Sequence, residues 1–335
     1  MLKFITKRLL LIVPIVLGVT LMIFLLTRVL PADPVYSILG PFASEEDVEA
    51  KRIALGLDKP LIVQYGRFLQ NLVKGDLGFS YRTQQPVAKD LLARFPVTFE
   101  LTTLSLMTAV LIGIPAGVWA AVKKGTLIDH IVRVLSVGGV SIPVFWSGIV
   151  LVYVFYFLLK VAPAPMGRLD QSLLPPTNVT GMYIFDSLIT GNWETLRSSI
   201  SHLTLPIITL AFAMVGPIMR MTRNSMLEAI NSRHVQASLA LGIPYKEVIF
   251  SDALRNALLP VITTVGLQYG WSLGGEVLVE SVFSIPGMGY YAMNSILNMD
   301  YAPVQAFVMV TAVIYVVINL VMDVIYTIVD PRIKY

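Results

Sequence analysis

The 335-residue chain contains no cysteine, so neither a disulfide framework nor a thiolate metal or redox site can be built from it. Charge is also scarce. Asp, Glu, Lys and Arg together make up 14% of residues, where soluble proteins carry about 25%. A water-soluble surface cannot be assembled from so few charges, and a 56% hydrophobic content exceeds what one soluble core would bury. The net charge of +4 comes without any long basic block, which excludes a phosphate-neutralising nucleic-acid surface. Catalytic constellations are missing too. There is no Gly-x-x-x-x-Gly-Lys-Ser/Thr loop to cradle ATP phosphates, no His-Glu-x-x-His, and no Gly-x-Ser-x-Gly. The three histidines, His130, His202 and His234, stand far apart in different segments, so no metal or cofactor site is expected on this chain.

Long apolar runs are abundant. A span needs about 20 predominantly apolar residues, and six windows meet that need: about 9–30, 98–122, 134–160, 200–219, 257–283 and 303–329. The first follows Lys3, Lys7 and Arg8 like a signal peptide, but its apolar stretch is too long and Pro31-Ala32-Asp33-Pro34 is a poor cleavage site. It is read as an uncleaved helix. The expected fold class is therefore an all-α membrane protein with six transmembrane helices, divided into an amino-terminal span (1–30), an extracytoplasmic loop domain (31–97) and a five-span core (98–335).

Basic residues orient it. With the amino terminus in the cytoplasm, segments 1–8, 123–133, 220–256 and 330–335 hold 13 of the 25 Lys and Arg, while 284–302 holds none. The eight in 31–97 belong to a loop too long to set topology. Both termini are expected inside.

Two extramembrane segments are large enough for a task. In 31–97, Ser44 is expected to cap a helix that opens on Glu45, Glu46 and Asp47 and closes on Lys51 and Arg52, as the helix dipole favours. Gly75-Asp76-Leu77-Gly78-Phe79-Ser80 reads as a turn. The segment is either a connecting lid or a docking and gating surface. In 220–256, Asn231 or Ser232 can cap a short helix that runs to Leu241. Gly242 stands at the position of a helix-ending glycine, and Pro244 starts a second helix with Glu247 near its beginning. Val235, Leu239 and Leu241 are apolar with no lipid to cover them, so this knob either lies on the membrane surface or is gripped by another protein.

Inside the spans, Glu276, Glu280 and Asp323 are the acids taken as candidate ion-coupling groups. The first two lie in the last turns of their span, within reach of water, and are expected to be solvated or hydrogen-bonded between helices. Asp323 lies near the cytoplasmic end and is read the same way. An ion-coupled secondary transporter would place such groups near mid-depth. Gly266, Gly270 and Gly274, with Gly275 adjacent, form a smooth stripe for close helix packing or for a path that changes width. Gly138, Gly139, Pro143 and Gly148 loosen the third span.

The stretch Gln236-Ala237-Ser238-Leu239-Ala240-Leu241-Gly242, with Ala253-Leu254-Arg255-Asn256-Ala257-Leu258-Leu259-Pro260, resembles the cytoplasmic EAA motif of permease subunits of ATP-binding-cassette importers. Gly75-Asp76-Leu77-Gly78, Gly266-Leu267-Gln268, Val282-Phe283-Ser284-Ile285-Pro286-Gly287-Met288-Gly289 and Asp330-Pro331-Arg332-Ile333 are similar to the first permease subunit of the dipeptide/oligopeptide and nickel branch. The resemblance covers nearly the whole chain. It implies a type I importer fold in the bacterial inner membrane and a homologous second permease subunit. It further implies two cytoplasmic ATPase subunits that bind ATP and magnesium, and an extracytoplasmic substrate-binding protein. Peptide uptake is the implied function, with glutathione or nickel complexes as alternatives within the branch. By the same resemblance, Gln236, Ala237, Ser238, Leu239, Leu241, Gly242 and Pro244 would couple the chain to the ATPase, and Arg255 and Asn256 would link that lever to the fifth span. Gln236 and Leu241 stand where the motif carries charge, and Ser238 replaces its second alanine, so docking should lean on apolar and shape contacts.

Overall fold

The computed structural model describes residues 2–29, 35, 39–40, 42–275 and 277–329. Glu276 and the 330–333 run lie outside them, as does the side chain of Asp323.

Helix α1 (Leu2–Val29) carries the first apolar run. It is followed by α2 (Glu45–Ala54) and α3 (Leu61–Val73), then by a small antiparallel hairpin of β1 (Phe79–Ser80) and β2 (Gln85–Pro86). Helix α4 (Val87–Val122) starts eleven residues before the expected span. The two-helix third span is α5 (Leu127–Ser141) and α6 (Val144–Leu151), the latter continuing through a wider π-type stretch, Val152–Leu158. After α7 (Tyr183–Thr190) comes α8 (Trp193–Ile230), the long central helix. Short helices α9 (Arg233–Ala240) and α10 (Tyr245–Val248) lead through a π-type turn, Ile249–Ala253, into α11 (Leu254–Gly275). The chain closes with α12 (Val277–Val282), α13 (Met288–Leu297) and α14 (Tyr301–Val329).

Helices occupy all six apolar windows. Val87–Val122, Trp193–Ile230, Tyr245–Gly274 and Tyr301–Met322 are each long and apolar enough to cross a bilayer, and among the described residues Val13–Thr27 is a shorter apolar stretch within α1. The third window departs from expectation. Instead of one helix over 134–160, two helices meet at 104°. Pro143 lacks an N–H and drives the preceding residue out of the helical region, and Ile142 is accordingly extended, with φ −92° and ψ 127°.

The core lies where α4, α5 and α11 pack on α8. Leu101, Ala109, Leu203, Leu210, Met214 and Ile218 are among its buried residues. Small residues bring α5 and α8 into backbone contact: a Cβ on Gly216 would stand 2.6 Å from the Ser136 carbonyl oxygen, and one on Gly139 2.7 Å from that of Phe212. At one end of this pair, Arg223 donates to both oxygens of the buried Asp129, from Nε at 2.5 Å and Nη2 at 3.0 Å. The paired geometry fixes the angle between α5 and α8.

Ser44 caps α2 as expected, its Oγ accepting from the Asp47 N–H at 3.1 Å. The following segment is not a lid lying wholly above the bundle, because α3 packs beside α1. The hairpin is clamped onto α13 and α14: Ser80 donates to Asp300 (2.7 Å), and both Thr83 (2.5 Å) and Tyr291 (2.8 Å) donate to Asp90. Burial, reinforced by Asp90, pushes the Tyr291 pKa up to about 12, so its hydroxyl stays a donor.

Candidate functional site

The segment after α8 is a helix–turn–helix. Only Asn231 and Ser232 separate α8 from α9. Their side chains serve the end of α8 rather than the start of α9: Asn231 Nδ2 donates to the Leu227 carbonyl (2.7 Å) and Ser232 Oγ to that of Ala229 (2.5 Å). Neither caps α9 with its side chain, contrary to expectation, because in so short a link the last carbonyls of α8 compete for the same groups.

The carboxyl end of α9 follows the glycine signal. Gly242 has φ +82°, its N–H donates to the Leu239 carbonyl (3.0 Å), and the Ile243 N–H reaches back to Ser238 (3.3 Å). This paired closure is a Schellman motif, which requires the left-handed region at Gly242. Pro244 then precedes α10, itself extended at φ −57° and ψ 135°.

One face of α9 belongs to the bundle. Val235 is 1% exposed and sits with Met226, Ala229, Val248, Ile249, Ala253 and Ala257, and Leu239 packs on the same cluster. The expectation that both lacked cover is corrected: the returning chain at 248–257 supplies it. Ser238 Oγ donates to Asp252 (2.9 Å), and Asn256 Nδ2 to His234 Nε2 (3.0 Å), tying α9 to the start of α11. Arg255 beside it is exposed. The opposite face is open. Gln236, Ala237, Gly242 and Pro244 are exposed, and Leu241 is 82% exposed. Gln236 retains only a 3.3 Å bond to the Ile230 carbonyl. Helix α9 thus has two edges: an apolar one packed against α8 and the 248–257 segment, and an exposed one at Gln236, Ala237 and Leu241.

The glycine stripe divides in two. A methyl on Gly266 would overlap the Met322 side chain, and one on Gly270 the Tyr315 ring, so these two glycines let α11 and α14 touch. Gly274 has open space around it and lines, with Gly270 and Trp271, an apolar cavity of about 560 Å³ between α1, α11 and α14. Gly275 ends α11.

Glu280 is not within reach of water. It is fully buried, accepting from Thr98 Oγ (2.6 Å) and the Tyr290 N–H (2.8 Å), while Thr98 Oγ accepts from the Met288 N–H (2.9 Å). The cause is the reversal after α12. Ser284 takes φ +51° and turns the first N–H groups of α13 back onto the carboxylate. The Ile285-Pro286-Gly287 turn five residues after an acid is the signal that marks it in the sequence. A second internal acid, Glu100, accepts from the Tyr183 and Ile184 N–H groups (3.1 and 2.7 Å) and pairs with Arg168 at 3.3 Å, whose guanidinium lies 3.6 Å over the Tyr183 ring. Burial lowers the Arg168 pKa, and Glu100 opposes the shift. Beside it burial works against the Asp186 carboxylate, yet the Thr180 hydroxyl and the N–H groups of Thr180, Gly181 and Val179 hold its pKa below the usual value. Sequence patterning missed this anchor, although an acid inside a span is a signal for a partner. Among the described residues, no group of three or more His, Cys, Asp or Glu is placed to hold a metal ion.

The sequence that forms this helical bundle has counterparts among known proteins. A family profile described as "Binding-protein-dependent transport system inner membrane component" matches residues 113–335, and its amino-terminal companion, "Binding-prot-dependent transport system membrane comp, N-term", matches residues 1–102. The chain is 42% identical over 319 residues to the probable D,D-dipeptide transport system permease protein DdpB of Escherichia coli K12, covering 95% of this chain and 94% of that one. It is 39% identical to the dipeptide transport system permease protein DppB of Alkalihalophilus pseudofirmus over the full length of both. The glutathione transport system permease protein GsiC of Escherichia coli O6:H1 is 34% identical over the full length of both. With the two profiles together spanning nearly the whole chain and relatives matched end to end, the chain belongs to the family of binding-protein-dependent transport system inner membrane components.

Proposed function

We propose that the chain is the first permease subunit of an ATP-binding-cassette importer for dipeptides or oligopeptides, with both termini in the cytoplasm. It pairs with a homologous second permease. Two ATPase subunits, which hold ATP and magnesium, grip the α9–α10 lever from the cytoplasm, and an extracytoplasmic binding protein delivers the solute. This chain supplies path and lever and performs no catalysis. Closure of the ATPase pair pushes the exposed edge at Gln236, Ala237, Leu241, Gly242 and Pro244. The opposite edge, through Val235, Leu239 and Ser238, carries the push into α8 and α11. Coupling requires that the ATP-bound partners interact differently with the two bundle conformations, since equal binding shifts nothing.

The observation that carries this reading is the two-sided burial of α9: Val235 at 1% exposed inside and Leu241 at 82% outside, on one eight-residue helix and its cap. A free surface helix would not need such a rigid inner edge. Peptide as the solute rests on the end-to-end identity to dipeptide permeases, at 36–42%. The glutathione permease, itself a transporter of a peptide, is matched less closely at 34%. The bonded state of Glu280 favours a structural carboxylate over an ion-coupling one.

Leu241→Asp is the direct test. Because the side chain contacts solvent, membrane insertion and thermal stability should be unchanged. Uptake and association with the ATPase subunits should fall at least about tenfold, as expected if about 1.4 kcal/mol or more of apolar docking is lost. Full uptake by this variant would remove Leu241 from the docking surface.

A further inference from the structure

Helix α3 lies in the segment that the sequence assigns to the extracytoplasmic loop domain, yet it is held against the membrane-spanning part of α1. Tyr65 Oη donates to the Leu17 carbonyl (3.2 Å) and meets Thr20 Oγ at 3.0 Å, and the Phe24 ring lies 5.4 Å from Tyr65 and 6.1 Å from Phe68. Leu17, Thr20 and Phe24 all fall within Val13–Thr27, an apolar stretch of α1. Leu17 is ten residues inward of Thr27, on the order of 15 Å along the helix axis. The depth of Thr27 is fixed in turn by Gln305 near the start of α14, whose Nε2 donates to Thr27 Oγ (2.6 Å).

The apolar residues of α3 other than Val63 form one continuous arc. At 100° per residue, Phe68, Leu61, Leu72, Tyr65, Leu69, Ile62 and Val73 span about 140°, and Gln64, Arg67, Gln70 and Asn71 occupy most of the remainder. The arc is covered in part, by α1 through Tyr65 and Phe68. Its far edge is bare, with Ile62 77% exposed and Val73 88%, and Leu61 in the first turn is 51% exposed. Rotation of α3 cannot hide it. Tyr65 anchors one side, and on the other Gln64 Nε2 donates to the Leu57 and Lys59 carbonyls (3.1 and 2.7 Å). The Arg67 guanidinium also folds over Gly56, whose φ of +68° makes the turn from α2. On α1 itself, Leu21 and Leu25, each next in sequence to a residue that α3 touches (Thr20 and Phe24), are both more than 40% exposed.

We propose that α3 is a membrane-embedded interfacial helix whose bare Ile62–Val73 edge, with Leu61 of the first turn, is covered by lipid of the leaflet at the carboxyl-terminal end of α1. The occupant follows from what α3 touches: Leu17, Thr20 and Phe24 lie inside the apolar run read as the first span, whose surrounding medium is hydrocarbon. An apolar arc with a polar reverse face is the pattern of helices that lie in the bilayer boundary. The charged α2, which opens on Glu45, Glu46 and Asp47, stays on the water side. The segment is thereby a float that holds the amino-terminal span rather than a freely moving lid.

The chain has no cysteine, so single-cysteine variants report one site each without background. Ile62→Cys, Val73→Cys and, as a reporter of the exposed first turn, Leu61→Cys would carry a nitroxide label in the assembled importer in proteoliposomes, with Gln70→Cys as the polar-face reference. Retained uptake verifies each labelled variant. Labels at 61, 62 and 73 should collide with dissolved oxygen and be shielded from a water-soluble nickel chelate several-fold more than the label at 70. Equal chelate access at all four positions would place the edge in water and overturn the proposal. Shielding from both reagents would place it under protein, a second permease or a binding protein, and would overturn it equally.

Discussion

Replacing Gly242 with valine is expected to leave the permease inserted and assembled but to reduce ATP-driven uptake by at least about tenfold, the effect of 1.4 kcal/mol or more on coupling. The reason is conformational. Gly242 holds φ +82° to close the Schellman motif after α9, and a side chain in the left-handed region costs roughly 1–2 kcal/mol, more for a β-branched one. No atom lies within 4 Å of the position a Cβ would take, so valine meets no clash within the chain. The cost appears as a changed exit angle, which would misplace Leu241 and Pro244 on the exposed edge while leaving Val235 seated in its cluster. Asparagine tolerates the left-handed region, so Gly242→Asn should retain most uptake. ATP hydrolysis and peptide uptake measured together in proteoliposomes separate the outcomes. Hydrolysis without uptake in the valine variant is expected, and normal uptake would remove the lever assignment.

The second large effect concerns Glu280. Glu280→Ala leaves the Thr98 hydroxyl and the Tyr290 N–H buried without their acceptor. Each orphaned group costs about 1–3 kcal/mol, and the removed side chain adds a cavity. The sum is on the order of 3–5 kcal/mol, which corresponds to a fall of about 10 °C in Tm for the detergent-solubilised protein. Gly287→Ala should have a similar effect by a different route, since its methyl would collide with the Glu280 carboxylate. Glu280→Gln should fall between, because the amide keeps the shape and one acceptor but turns an NH₂ toward a donor. Thermal unfolding of the three variants reads the order directly. A Tm unchanged in Glu280→Ala would mean that the α12–α13 reversal does not depend on the carboxylate.

Much of this architecture is legible in residue patterning. Apolar windows marked the helices, Ser44 marked the start of α2, and Gly242 marked the end of α9, each because one local chemical need is met by few residue types. The failures are tertiary. Nothing local separates a proline that bends a span by 104°, as Pro143 does, from Pro96, Pro115, Pro206, Pro217 and Pro260, which lie within continuous helices. Whether Val235 and Leu239 are bare or covered depends on where residues 248–257 return. Glu280 reads as interfacial in a linear sequence and becomes buried only because α13 folds back over it. Likewise α3 is a short amphipathic stretch in a loop until Tyr65 finds the Leu17 carbonyl 48 residues earlier.

The central claim is that this chain is one half of an ATP-driven peptide path. Its most direct test is purification through a tag on this chain alone, followed by reconstitution and measurement of dipeptide uptake with binding protein and ATP supplied. The account predicts stoichiometric recovery of a second permease and an ATPase pair, uptake that requires ATP, and no ATP hydrolysis by this chain after those partners are stripped away. Uptake by the stripped chain driven by an ion gradient without ATP would contradict it.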